Sequence, residues 1–116
     1  MRGWVYRAVE GGLLHARAGL PDRWDIAIKR NWRFGLLSRR RLARAIRQDI
    51  WRDLQQVRGF VPRVLVAQNA DLVQITAGGV LMAGRAAPVL ENHLAGVLDN
   101  PGNKMRWLRF AGTKGD

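Results

Sequence analysis

The sequence predicts an α+β fold: a small single domain, residues 1–116, with an antiparallel sheet packed by one long Arg-rich amphipathic helix and a second, shorter helix. Length and composition support this, since 116 residues with 47% hydrophobic content suit one core. Several short runs alternate apolar and polar residues with a period of two, which is typical of half-buried strands. One longer segment repeats apolar residues at steps of three and four, which indicates a helix.

The N-terminal third predicts three strands. Residues 3–18 favour a hairpin, because side chains alternate along the first half and Gly11-Gly12 provides a turn. A short helix is the alternative for this segment. Residues 24–34 favour a strand, in which one face carries Trp24, Ile26 and Ile28.

Residues 39–58 form the clearest predicted helix. Ser38 is suited to cap its N-terminus, and Gly59 is suited to terminate it. The predicted apolar stripe consists of Leu42, Ile46, Ile50, Leu54 and Val57.

The second half of the chain predicts more sheet followed by helix. The expected elements are a strand at 60–67, sheet continuing over 72–82, and a helix at 86–99. Gly78-Gly79 is interpreted as a bend or a second hairpin within the sheet. Residues 101–111 favour a third helix because Asn100-Pro101 is a good capping pair, and a strand is the alternative.

The charge balance indicates an anionic partner. Lys and Arg number 20 against 9 Asp and Glu, so the formal net charge is +11. Such an excess usually reflects nucleic acid, although an acidic protein partner is the alternative. The absence of Cys excludes disulfides and thiolate metal sites and favours a cytoplasmic location. No leader-like start and no membrane-spanning stretch of roughly 20 apolar residues is evident, and no cofactor or metal is expected.

The predicted long helix carries a basic line beside its apolar stripe. At about 100° per residue, five residues fall on this line, and Arg41 widens it. The line consists of Arg40, Arg44, Arg47, Trp51 and Arg58. Arginines crowd the first turn, where the helix dipole disfavours cations, so a role outside folding is indicated. The pattern predicts phosphate contacts from the arginines and base stacking by Trp51.

A second basic and aromatic segment precedes this helix. Cations and rings interleave over residues 29–34, as in proteins that bind single-stranded nucleic acid. The candidate binding residues are Lys29, Arg30, Trp32 and Arg33. Because the segment leads towards the helix, both patches are expected to form one surface.

The expected function is therefore non-enzymatic nucleic-acid binding, with RNA slightly favoured over DNA. A protein–protein interaction module is the first alternative, because Trp and Arg commonly anchor interfaces and the chain has five Trp. A small, basic, metal-independent ribonuclease is the second alternative, with His15 or Glu10 as the candidate acid or base. The oligomeric state is left open.

Overall fold

The computed structural model describes residues 3–82 and 88–112 and shows the predicted α+β fold. Its strands are β1 (Trp4–Val9), β2 (Gly12–Arg17), β3 (Ile26–Arg33), β4 (Phe60–Asn69) and β5 (Leu72–Leu81). Its helices are α1 (Arg39–Leu54), α2 (Pro88–Asp99) and α3 (Pro101–Ala111). The first two residues of the predicted helix 86–99 lie outside the described residues.

The strands form one antiparallel sheet in the order β1-β2-β4-β5-β3. The predicted N-terminal hairpin is confirmed, since β1 pairs with β2 along its whole length. Gly12 is required at the start of β2: its φ is +142°, and a Cβ there would overlap the carbonyl oxygen of Val66 on β4. The hairpin therefore lies directly against the central strands.

The bend or hairpin expected at Gly78-Gly79 is wrong, because β5 runs without interruption from Leu72 to Leu81. The two glycines instead permit close approach of the neighbouring strands. A Cβ at Gly78 would overlap the carbonyl oxygen of Ile26, and one at Gly79 would overlap that of Val61. Glycine in a strand interior often marks such a close approach of another backbone.

Helix α1 begins where the sequence predicts, but it ends earlier. The Ser38 hydroxyl accepts a hydrogen bond of 3.1 Å from the Arg41 N–H and so caps the first turn. The helix ends at Leu54, and the Val57 N–H then donates to the Leu54 carbonyl in a separate turn. Gly59, with φ of +77°, reverses the chain into β4 rather than ending the helix.

The core lies between the helices and one face of the sheet. Helix α1 crosses β4 and β2, and α3 packs beside α1. Trp107 of α3 is fully buried, and its indole N–H donates to the buried Asp49 carboxylate of α1 at 2.6 Å. This packing confirms the helix at 101–111 over the strand alternative. Among the described residues, no helix combines the length and apolar character needed to cross a bilayer.

Candidate functional site

The start of α1 concentrates arginines on the protein surface. Arg39 and Arg40 are exposed in its first turn, and Arg41 and Arg44 are partly exposed. This turn contains no acidic residue. The positive end of the helix dipole adds to the four guanidinium charges, so the potential here favours an anion.

Two aromatic rings flank these arginines, one from each neighbouring element. Tyr6 of β1 lies beneath Arg40, whose guanidinium carbon is 4.7 Å from the centroid of the Tyr6 ring. Phe110 of α3 lies 5.8 Å from the Arg41 guanidinium and 5.7 Å from that of Arg44. A shallow depression of about 320 Å³ is lined by Tyr6, Arg40, Arg41 and Arg44, and Phe110 lies beside it. We call this surface the α1 arginine cleft and define it by Tyr6, Arg39, Arg40, Arg41, Arg44 and Phe110.

The aspartates of the described residues pair with arginines outside the cleft. Each Asp within the described residues forms an ion pair with an arginine outside the cleft; these are Asp22, Asp25, Asp49, Asp53, Asp71 and Asp99. No ion pair with a described carboxylate involves Arg39, Arg40 or Arg44. The fold therefore leaves the charge of these three arginines uncompensated by carboxylates of the described chain.

Arg47 does not extend this surface, contrary to the sequence prediction. Its side chain is only 5% exposed, its guanidinium lies 4.4 Å above the Trp4 ring, and its Nε donates to His15 Nε2 at 3.1 Å. Burial lowers the pKa of Arg47 from its ordinary value. The reason for the difference is that α1 is covered by the β1–β2 hairpin along this part of its basic line.

His15 occupies the centre of that buried contact. Its ring stacks on Tyr6 at a centroid distance of 4.3 Å and is tilted against Trp4 at 5.6 Å. Because Nε2 accepts from Arg47, Nδ1 carries the proton and donates to the Val5 carbonyl at 3.0 Å. Burial, opposed by this backbone bond and assisted by Arg47 and Arg44, lowers the pKa of His15 to about 4. The ring has no exposed surface on which a ribonuclease substrate could bind.

The segment 29–34 does not form one surface with the cleft. Its side chains alternate across the sheet, so Lys29 and Arg33 lie on the face away from the helices. Arg30 binds Asp99 through two hydrogen bonds of 2.7 and 2.9 Å, and Arg33 binds Asp71 at 2.8 Å. These ion pairs compensate much of the charge that the sequence assigned to ligand binding.

Trp32 is likewise removed from the predicted surface. It is 7% exposed and stacks on Trp107 at a centroid distance of 6.1 Å. The alternation that makes β3 a strand directs this ring into the core, so it offers no free face for a base.

The remaining predicted residues lie apart from one another. Trp51 is 39% exposed on α1, but Arg58 follows the end of the helix and so does not continue the line from Arg40. Tyr6 and Phe110 were not predicted as site residues. Alternation in the first strand indicates the face on which Tyr6 lies, whereas nothing local in the sequence indicates that Phe110 meets α1.

The described part of the chain contains no group of three or more His, Asp or Glu side chains placed to hold a metal ion. Comparisons with protein-family models, curated proteins and solved structures give no match. The class that the structure defines is an α+β domain with helices on one face of an antiparallel sheet and an arginine-rich, ring-flanked cleft.

Proposed function

We propose that this protein is a non-enzymatic nucleic-acid-binding protein, that the α1 arginine cleft contacts the phosphate backbone, and that RNA is slightly favoured over DNA. The observation that carries the proposal is that Arg39, Arg40 and Arg44, at the start of α1, form no ion pair with a carboxylate of the described residues. A cation cluster that the fold leaves uncompensated is suited to an external polyanion.

The rings favour single-stranded segments as the target. Tyr6 and Phe110 are partly exposed beside the guanidinium groups, and single strands bind where cations follow the backbone and rings stack on bases. Stacking on rings tolerates any base, and the unpaired bases of single-stranded RNA loops and ends are available for it. In this proposal Arg40 and Arg44 contact phosphates, and displacement of Arg40 by a phosphate exposes the ring of Tyr6.

No cleavage step is part of the proposal. The ribonuclease alternative assigned acid–base roles to His15 and Glu10, and a candidate base must reach the proton that it transfers. His15 is enclosed by Tyr6, Trp4 and Arg47. Glu10 lies in the turn of the β1–β2 hairpin, outside the cleft.

The test is the salt dependence of binding, measured by fluorescence anisotropy with labelled single-stranded RNA, single-stranded DNA and duplex of matched length. If each of the four cleft arginines contacts one phosphate, the slope of log K against log salt is about −3 for a single strand, at about 0.7 per contact. The double variant Arg40→Gln/Arg44→Gln is expected to reduce the magnitude of this slope by about 1.4 and to weaken binding at every salt concentration.

The matched control is Arg30→Gln/Arg33→Gln, which removes the same charge from residues that are already paired with Asp99 and Asp71. We expect this control to change the salt slope by less than half as much as Arg40→Gln/Arg44→Gln does. Equal effects of the two double variants would show that only overall charge matters, and a flat salt response of the unmodified protein would reject nucleic-acid binding. A stoichiometric complex with an acidic protein that survives nuclease treatment would replace nucleic acid as the partner.

A further inference from the structure

A cavity of about 260 Å³ lies on the face of the sheet opposite the helices. The loop 18–25, which joins β2 to β3, closes one side of it. Its lining is apolar over most of the surface, with Val5, Ala16, Leu20 and Val80 among the contributing residues. Arg7, Arg63 and Asp22 supply charged groups to the same cavity.

Arg63 is the unusual member of this lining. It lies on the central strand β4 and is 4% exposed. Its Nη1 donates to the Arg23 carbonyl at 2.6 Å, and its Nη2 donates to Asp22 Oδ1 at 2.7 Å. Its guanidinium carbon lies 4.9 Å from the Trp24 ring centroid. The Arg63 Nε is buried and has no hydrogen-bond acceptor among the described residues. A buried charged group with an unused donor is costly to a fold and requires an explanation.

The charge at this end of the cavity is also incompletely compensated. Arg7 Nη2 approaches the same Asp22 oxygen at 3.3 Å, so one carboxylate serves two guanidinium groups. The Asp22 side chain is largely exposed and belongs to the loop rather than to the sheet. It is therefore the partner of Arg63 that an incoming carboxylate could most readily replace.

We propose that this cavity binds a small organic carboxylate. The carboxylate group is held by Arg63 and Arg7, at the position where Asp22 now binds, and it accepts a hydrogen bond from the Arg63 Nε–H. The planar guanidinium fork matches a carboxylate in geometry and charge. The apolar body of the ligand then lies against Val5, Ala16 and Val80. This body must be short, because ligand sites for drug-sized molecules occupy about 300–1,000 Å³ and this cavity is slightly smaller.

This site is independent of the α1 arginine cleft, because the sheet separates the two surfaces. The probe is 3-methylbutanoate, which combines a carboxylate with a small branched apolar body. The corresponding alcohol, 3-methylbutan-1-ol, keeps the body without the charge, and inorganic phosphate supplies an anion without the body. Titrations are followed by isothermal calorimetry and by amide shifts of β4 and the loop 18–25. We expect saturable binding of the carboxylate and weak or no binding of the two comparison compounds.

Three variants test the assigned roles. Arg63→Gln is expected to abolish binding, Arg7→Gln to weaken it about tenfold, and Asp22→Asn to strengthen it several-fold by removing the competing carboxylate. Arg7 is half-exposed, so its variant is expected to fold even where that of Arg63 does not. Arg109→Gln, on the exposed surface of α3, is the matched loss of charge and is expected to bind like the unmodified protein.

Several results would overturn the assignment. These are the absence of saturation up to tens of millimolar probe, equal binding of acid and alcohol, or weakening by Arg109→Gln as strong as that by Arg7→Gln. A failure of Asp22→Asn to strengthen binding would show that the Asp22 carboxylate does not occupy the ligand position. None of these results bears on the salt dependence of nucleic-acid binding, which is measured at the opposite face.

Discussion

Acidification from about pH 6.5 towards pH 4 is expected to destabilise this protein through His15. The neutral ring is buried between Tyr6 and Trp4 and accepts a hydrogen bond from Arg47, with Arg44 and Arg40 also on the helix side. Protonation would place a second cation against Arg47 and would remove the acceptor of that bond. The unfolded chain has no such obstacle, so it binds the proton more readily.

The size and sign of the effect follow from the pKa of His15, which falls from an ordinary value of 6.5 to about 4. A base with a depressed pKa contributes stability that is complete above about pH 6.5 and is lost progressively as the pH falls to about 4, because the unfolded state binds more protons in that window. At 1.36 kcal/mol per pKa unit the ceiling is roughly 3 kcal/mol. We therefore expect a loss of up to about 3 kcal/mol as the pH falls from about 6.5 to about 4.

Urea denaturation at a series of pH values between 7 and 4.5 provides the assay, with the free energy of unfolding extrapolated to water. The substitution His15→Gln should flatten the pH dependence, since the amide oxygen can accept from Arg47 without titrating. His93→Gln, which changes an exposed residue of α2, is the control and should retain the slope. A stability that stays constant from pH 7 to 5, or a His15→Gln variant with an unchanged pH dependence, would contradict this prediction.

Three further substitutions test the packing. Asp49→Ala should lower the free energy of unfolding by about 3 kcal/mol, because it leaves the buried Trp107 N–H without an acceptor and removes the carboxylate that binds Arg52 and Arg106. A loss below about 1 kcal/mol in urea denaturation would contradict this. Gly78→Ala should cost at least about 2 kcal/mol, since its Cβ would overlap the Ile26 carbonyl, and an unchanged melting temperature would contradict it. Gly96→Ala, in an open position on α2, should stabilise by about 0.5–1 kcal/mol, and a lower melting temperature would contradict that expectation.

Local patterns predicted most of the secondary structure, because they report which side chains must be buried. The alternation in residues 3–18 favoured a hairpin over a short helix, and the spacing of Leu42, Ile46 and Ile50 predicted a helix; both predictions are confirmed. The errors occur where a local signal has two physical causes. Gly78-Gly79 is compatible with a turn or with close strand contact, and only the neighbouring strands decide between them. The end of α1 was misplaced because Val57 continues the apolar spacing beyond the helix.

The candidate site was less predictable, because it depends on which charges meet. The helical wheel placed Arg40, Arg44 and Arg47 on one line, but it could not show that the hairpin covers the third. The segment 29–34 appeared strongly basic in sequence, yet its arginines meet Asp99 and Asp71 from distant parts of the chain. Such pairings follow from tertiary structure and leave no periodic trace in the sequence.

The distribution of acids gives the strongest reason to treat the α1 arginine cleft as a binding surface. Cations in the first turn of a helix disfavour folding by a few tenths of a kcal/mol each, and an Asp or Glu in that turn would reverse the effect. The described aspartates instead pair with arginines elsewhere, including Arg30 and Arg33, and the first turn of α1 holds no acid. Because an external anion would relieve this repulsion only in the folded protein, its binding would also stabilise the fold. The arginines that slightly lower the stability of the isolated domain would therefore raise its stability when a polyanionic partner binds them.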